Sequence, residues 1–170
     1  MNITGKDLVN FKVFKGLNNK DVEVFSPLIR VEKVKKNERI IEENETGDSL
    51  LFLLNGDISI TKALTLSTNK SEENDNSEKE LIRLKAKDNI VMGEVSLLSE
   101  DKKRSATVTA LTDCEIGYLS SENFFKVCEE NKEIGYIAIK NISKILTKNL
   151  NKTNLQVLKL ATAFSLIIDQ

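Results

Sequence analysis

Leu50-Leu51-Phe52-Leu53-Leu54-Asn55-Gly56-Asp57-Ile58-Ser59-Ile60-Thr61 is the stretch that decides the fold class. An unbroken apolar run meets Asn-Gly, and a cleanly alternating run follows it. Asn-Gly tolerates the positive φ values of a tight hairpin turn, so two strands joined at Asn55-Gly56-Asp57 are expected. Upstream, Glu45-Thr46-Gly47-Asp48-Ser49 reads as a turn, and residues 31–36 and 39–42 read as short strands of period two. Downstream, residues 81–84, 105–111 and 115–119 are β-like. Many short strands joined by tight turns make a sandwich or a barrel, not a βαβ sheet. Residues 65–80 are polar, with no aromatic and a single Leu. They cannot bury enough surface to offset ordering, and a mobile hairpin tip is expected there.

Helical patterns flank this β region. Residues 5–30 read as helical with breaks: Gly16-Leu17-Asn18-Asn19 is a stop, and Asn18 or Asn19 caps a second short helix over 20–28 that Pro27 ends or bends. A further short helix opens at Ser121, capped by Ser120 or Ser121. From residue 131 the period stays helical to the end, without Pro. Within it Leu150, Thr153, Val157, Leu160, Phe164 and Ile167 recur at alternating steps of three and four, the spacing of a two-helix seam. A helix of that length runs about 60 Å, longer than a small domain, so part of it needs another partner. The simplest is a second copy of the chain, giving a homodimer. One domain over residues 1–170 is expected: N-terminal helices (1–30), a barrel (31–120) and C-terminal helices (121–170).

Composition narrows the function. Of 170 residues, 40% are hydrophobic and 30% charged, the balance of a soluble globular chain. Net charge is −1, which offers no basic excess for a phosphate backbone. His is absent, which removes imidazole acid–base chemistry and the usual His-ligated metal centres. Cys114 and Cys128 are too few for a four-Cys cluster and read as reduced thiols. No secretory leader pattern and no apolar run of membrane length occur, so the cytoplasm is the expected compartment and no membrane partner is expected.

The chemistry concentrates in Gly93-Glu94-Val95-Ser96-Leu97-Leu98 and, six residues on, Arg104-Ser105-Ala106-Thr107-Val108. Arg is scarce here, with only Arg30, Arg39, Arg83 and Arg104, so a reason is needed for Arg rather than Lys at 104. A guanidinium fork matches two phosphate oxygens. Ser105 can add a hydroxyl and Ala106 its amide, while a short helix at 95–98 would turn free N–H groups toward an anion. Gly93 lets backbone come close to a ligand. Glu94, when ionised, only accepts, and therefore wants a hydroxyl donor such as a ribose 2′-OH. Phosphate at one end and a sugar hydroxyl at the other describe a nucleotide.

Gly-Glu-x-x-Leu-Leu followed by Arg-Ser-Ala-Thr-Val resembles the phosphate-binding cassette of the cyclic-nucleotide-binding domain family. Gly47-Asp48, the apolar run at 50–54 and Gly56 resemble that family's first barrel glycines, and the order of helices and strands agrees over residues 11–170. The resemblance implies a mainly β fold with flanking helices: a double-stranded β-helix (jelly-roll) barrel with N-terminal helices and a long C-terminal dimerisation helix. It implies a regulatory binding module rather than an enzyme. Its ligand would be cAMP or cGMP, with no further cofactor and no metal. Ligand-dependent movement of the C-terminal helix about residues 124–131 would pass the signal to an effector protein. Carried over by position, Glu94 accepts the ribose hydroxyl and Arg104 pairs with the cyclic phosphate. Gly93, Val95, Ser96, Ser105 and Ala106 complete the cradle, and Thr153-Asn154 stand where a purine is read. The chain departs from the family at Ser96, at Lys103 and over 87–92. The sequence stops after the long helix without a helix-turn-helix, so no direct DNA binding is expected. A barrel that binds no nucleotide and serves as a dimeric scaffold remains the alternative. A His-dependent barrel enzyme does not fit a chain without His.

Overall fold

The computed structural model describes residues 3–63 and 78–168. Among the described residues eight strands form two four-stranded sheets: β1 (Arg30–Val34), β2 (Arg39–Ile41), β3 (Ser49–Asn55), β4 (Asp57–Ala63), β5 (Glu78–Lys85), β6 (Val91–Met92), β7 (Thr107–Ala110) and β8 (Cys114–Ser120). The orders are β1-β8-β3-β6 and β2-β7-β4-β5. All pairings among these strands are antiparallel, as a jelly-roll requires.

The expected hairpin at Asn55-Gly56-Asp57 is not one. β3 and β4 belong to different sheets and do not pair with each other. Instead β3 pairs with β8 and β4 with β7, so residues 49–61 run antiparallel to residues 107–120 as two bent ribbons that change sheet together. Gly56 makes the corner at φ +95°, where an added Cβ would meet Cys114 Sγ and Asp113 O at 2.6 and 2.8 Å. Asn55 is not among the residues of positive φ, whereas a type I′ hairpin needs positive φ at both turn residues. The true local hairpin is β4–β5. The tip expected over residues 65–80 lies outside the described residues, except for 78–80, which belong to β5.

Strand β3 explains its unbroken apolar run by having both faces covered. Leu51 and Leu53 point into the barrel with Ile58, Met92, Val108 and Ile116. Leu50 and Phe52 point outward beneath the helices, with Phe11, Phe14, Phe25 and Phe124. Phe52 meets Phe11 edge-on at 5.1 Å and stacks on Phe14 at 5.8 Å. An alternating strand would leave one face to solvent, and this one has none to give.

Helix α1 (Gly5–Leu8) and α2 (Asn19–Glu23) cap the outer layer. Asn18, as expected, caps α2 by accepting from the amides of Lys20 and Asp21 at 2.8 and 3.1 Å. Helix α2 stops at Glu23 rather than running to residue 28, and Ser26–Leu28 forms a separate 3-10 turn containing Pro27. A proline there cannot donate to the carbonyl a turn earlier and its ring crowds that carbonyl. After α3 (Glu94–Leu98), Ser120 caps α4 (Ser121–Glu130), accepting from the Asn123 amide at 3.2 Å. Asn131 breaks the chain direction, and α5 (Lys132–Ile168) follows.

Helix α5 has 37 residues, about 56 Å of helix. Its first part is packed: Ala138 and Ile142 are fully buried, and Asn141 Nδ2 donates to the carbonyls of Val13 and Lys15 at 3.0 and 2.8 Å. Its second part leaves the body. Every residue described from Thr147 to Ile167 is exposed, Leu150, Val157, Leu160, Phe164 and Ile167 among them. Among the described residues no helix is long and apolar enough to cross a membrane.

Candidate functional site

Two loops close around Arg104. The chain at 44–47 zips to the chain at 102–104: Arg104 N donates to Glu45 O, Asn44 N to Arg104 O and Gly47 N to Lys102 O, each at 2.9 Å. Lys102 holds φ +51° to make this turn, an unusual conformation for a side chain of its size. The result plants the Arg104 side chain at the barrel mouth, between β3 and α3.

Two glycines make room for its guanidinium. A Cβ at Gly47 would land on Nε and Cζ of Arg104, and one at Gly93 on Nη1. Gly93 also takes φ +83° as it turns the chain from β6 into α3. Gly47 and Gly93 are therefore glycines for one physical reason, the close passage of a planar cation. Nη1 donates to Ser49 O at 3.0 Å and to Ser96 Oγ at 2.8 Å, and Nη2 donates to Ser49 Oγ at 3.3 Å. Ser96 Oγ in turn donates to Gly93 O at 3.1 Å. Ser96 thus braces the arginine and is itself buried.

The electrostatics of this cation are unusual. Arg104 is only 8% exposed, yet among the described residues no carboxylate lies within 4.0 Å of it. All three side-chain hydrogen bonds end on neutral oxygens, and Nε donates to no acceptor among the described residues. Burial holds Arg104 below its usual pKa, offset by the fields of Asp48, Tyr118, Glu45 and Glu94. A buried cation without a counter-ion is costly unless an anion comes to it.

Glu94 opens α3 and is half-buried. Burial pushes its carboxyl above the usual range, against its own backbone amide and the pull of Arg104. Its Oε1 accepts from Asn149 Nδ2 of α5 at 3.3 Å. Val95 and Ser105 are exposed and Ala106 is half-buried just before β7. Thr153 and Asn154 are exposed, and Thr153 Oγ1 donates to Asn149 O at 3.1 Å along its own helix. The structure therefore brings Gly93, Glu94, Ser96 and Arg104 together, and it leaves Thr153 one turn beyond Asn149 on α5.

Reasoning from sequence missed Ser49 and Asn149. Ser49 opens β3 just ahead of the apolar run, and nothing local marks it as a partner of a residue 55 positions away. Asn149 lies one turn before Thr153, among lysines and asparagines that read as a solvated face. Shallow grooves of about 480 Å³ along Lys140, Lys144 and Lys148, and of about 430 Å³ beside Cys128 and Tyr136, are lined by neither Glu94 nor Arg104. They are open helix flanks, and burial pushes the Cys128 thiol up to about 11, away from the thiolate form. Among the described residues no cluster of acidic or Cys side chains could hold a metal.

Residues 31–131 match the profile of the cyclic nucleotide-binding domain. The chain belongs to that family. The family's fold is seen again in the catabolite activator protein of Thermus thermophilus, 19% identical, with TM-score 0.73 over 88% of this chain and 63% of that one. It recurs in a cyclic nucleotide-binding domain from Methylobacillus flagellatus, 16% identical, with TM-score 0.74 over 91% of this chain and 82% of the other. cAMP-bound PfPKA-R is 31% identical, with TM-score 0.58 over 72% of this chain and 39% of that chain. The chain thus spans under two thirds of the Thermus and PfPKA-R chains. Among curated protein sequences none matches.

Proposed function

We propose that this chain is a cAMP-sensing regulatory module. The single observation that carries the proposal is the buried, ion-unpaired guanidinium of Arg104, braced by Ser49 and Ser96 beside a half-buried carboxylate. A cyclic phosphate supplies the missing anion, taken by the Arg104 fork with the Ser105 hydroxyl and the Ala106 amide. Glu94 Oε2 accepts the ribose 2′-OH, with Gly93 and Val95 forming the backbone wall. Thr153 and Asn154 reach the purine when the distal part of α5 closes. Identity to cAMP-bound PfPKA-R supports cAMP over cGMP. The exposed seam from Leu150 to Ile167 pairs with that of a second copy, and the signal passes to an effector protein without direct contact to DNA. The module binds and does not catalyse, and it works in the cytoplasm.

Calorimetric titration with cAMP and with cGMP tests the reading. Heat and a thermal shift with cAMP are expected. Neither with either nucleotide would leave a barrel that serves as a scaffold.

A further inference from the structure

We propose that Asn149 is the positioning residue through which helix α5 reads the sugar end of the nucleotide site, by holding Glu94 Oε1 so that Oε2 faces the ligand's hydroxyl. The inference rests on the nucleotide reading and deepens it. An ionised carboxylate only accepts, so the amide nitrogen of Asn149 must be the group that faces it. The 3.3 Å contact joins residues 55 apart and is the one side-chain hydrogen bond between α5 and the α3 turn among the described residues. Among the described residues the Glu94 carboxylate takes one side-chain hydrogen bond, from Asn149, besides the bond from its own backbone amide, which leaves lone pairs for a ligand hydroxyl.

The place of Asn149 on α5 gives the contact its consequence. Ile145 and Leu146 are the last residues of α5 packed against the core, and the helix is exposed from Thr147 onward. Asn149 is therefore the tether at the point where α5 leaves the body. A Glu94 fixed by a ribose hydroxyl fixes Asn149, and with it the direction of the seam that follows. A Glu94 with no ligand leaves that tether on one long hydrogen bond.

The test uses the full chain, with cAMP and cyclic 2′-deoxy-AMP as probes. Wild-type protein is expected to bind cAMP more tightly than the deoxy nucleotide. Asn149→Ala is expected to weaken cAMP binding about tenfold, the effect of losing one hydrogen bond to a charged group. Binding of the deoxy nucleotide should stay within about twofold, because Glu94 then has no hydroxyl to hold. Asn149→Gln, which keeps the donor on a longer arm, should restore most of the cAMP affinity. Equal losses for both nucleotides, or no loss for either, would overturn the role of Asn149 while leaving the nucleotide reading in place. Wild-type protein that binds neither would overturn the nucleotide reading, and this one with it.

Discussion

Replacing Arg104 by Ala separates a ligand cradle from a structural strut. In the unliganded protein the change removes three hydrogen bonds, to Ser49 O, Ser49 Oγ and Ser96 Oγ. Bonds of a charged donor are worth about 1.5–3 kcal/mol each. Against them stands the cost of holding a guanidinium at 8% exposure with no carboxylate of the described residues in ion-pair range, which is itself several kcal/mol. The two nearly cancel, so the stability of unliganded Arg104→Ala should stay within about 2 kcal/mol of wild type. Ligand changes the balance. At a hundred times Kd, cAMP should stabilise the wild type by about 2.7 kcal/mol, a rise of about 5–10 °C in Tm for a domain of this size. Arg104→Ala loses both arms of the phosphate fork, so binding should fall by about a hundredfold or more and the shift should vanish. Arg104→Lys keeps the charge without the planar fork and should recover little of it. Thermal unfolding of the variants with and without cAMP reads both quantities. A persistent ligand shift in Arg104→Ala, or its collapse by many degrees without ligand, would refute the reasoning.

Three further perturbations reach other parts of the molecule. Glu94 is held protonated to a higher pH in the folded chain than its ordinary value of 4.5, chiefly by burial. The folded state therefore binds more protons than the unfolded state just above pH 4.5, and Glu94 makes stability fall as pH rises through that window. Glu94→Gln should remove that slope and be at least as stable as wild type at pH 7 in thermal scans, while losing affinity for cAMP but not for its deoxy analogue. Lys102→Gly relieves a φ of +51° and should gain about 0.5–1 kcal/mol, read as a Tm higher by a few degrees; a lower Tm would contradict the strain. Phe164→Asp places a charge in the seam and should reduce the sedimenting mass from twice 19.1 kDa to 19.1 kDa; an unchanged mass would place the contact elsewhere.

Much of this protein was legible along the chain because its signals are local. The caps at Asn18 and Ser120, the period of α5, and the glycine that turns into α3 each act within a few residues. Glu94 and Arg104 stood out as candidates because a carboxylate, a fork and a glycine at that spacing match what the two ends of a nucleotide would need. The longer extent of β5 was hidden by its polar start, and the early end of α2 by treating Pro27 as a late stop.

Sequence alone determined the residue types and much of the local structure: where strands alternate, where helices cap, and which two charged groups the nucleotide proposal rests on. Tertiary structure alone decided which strands pair, that the corner at Gly56 changes sheet rather than closing a hairpin, and that Arg104 is buried against Ser49 and Ser96 with no carboxylate of the described residues within ion-pair range. It also brought Asn149 to Glu94. A turn's φ values and a helix's period are properties of adjacent residues, whereas strand pairing and the solvation of a charge depend on groups that only the folded chain brings together.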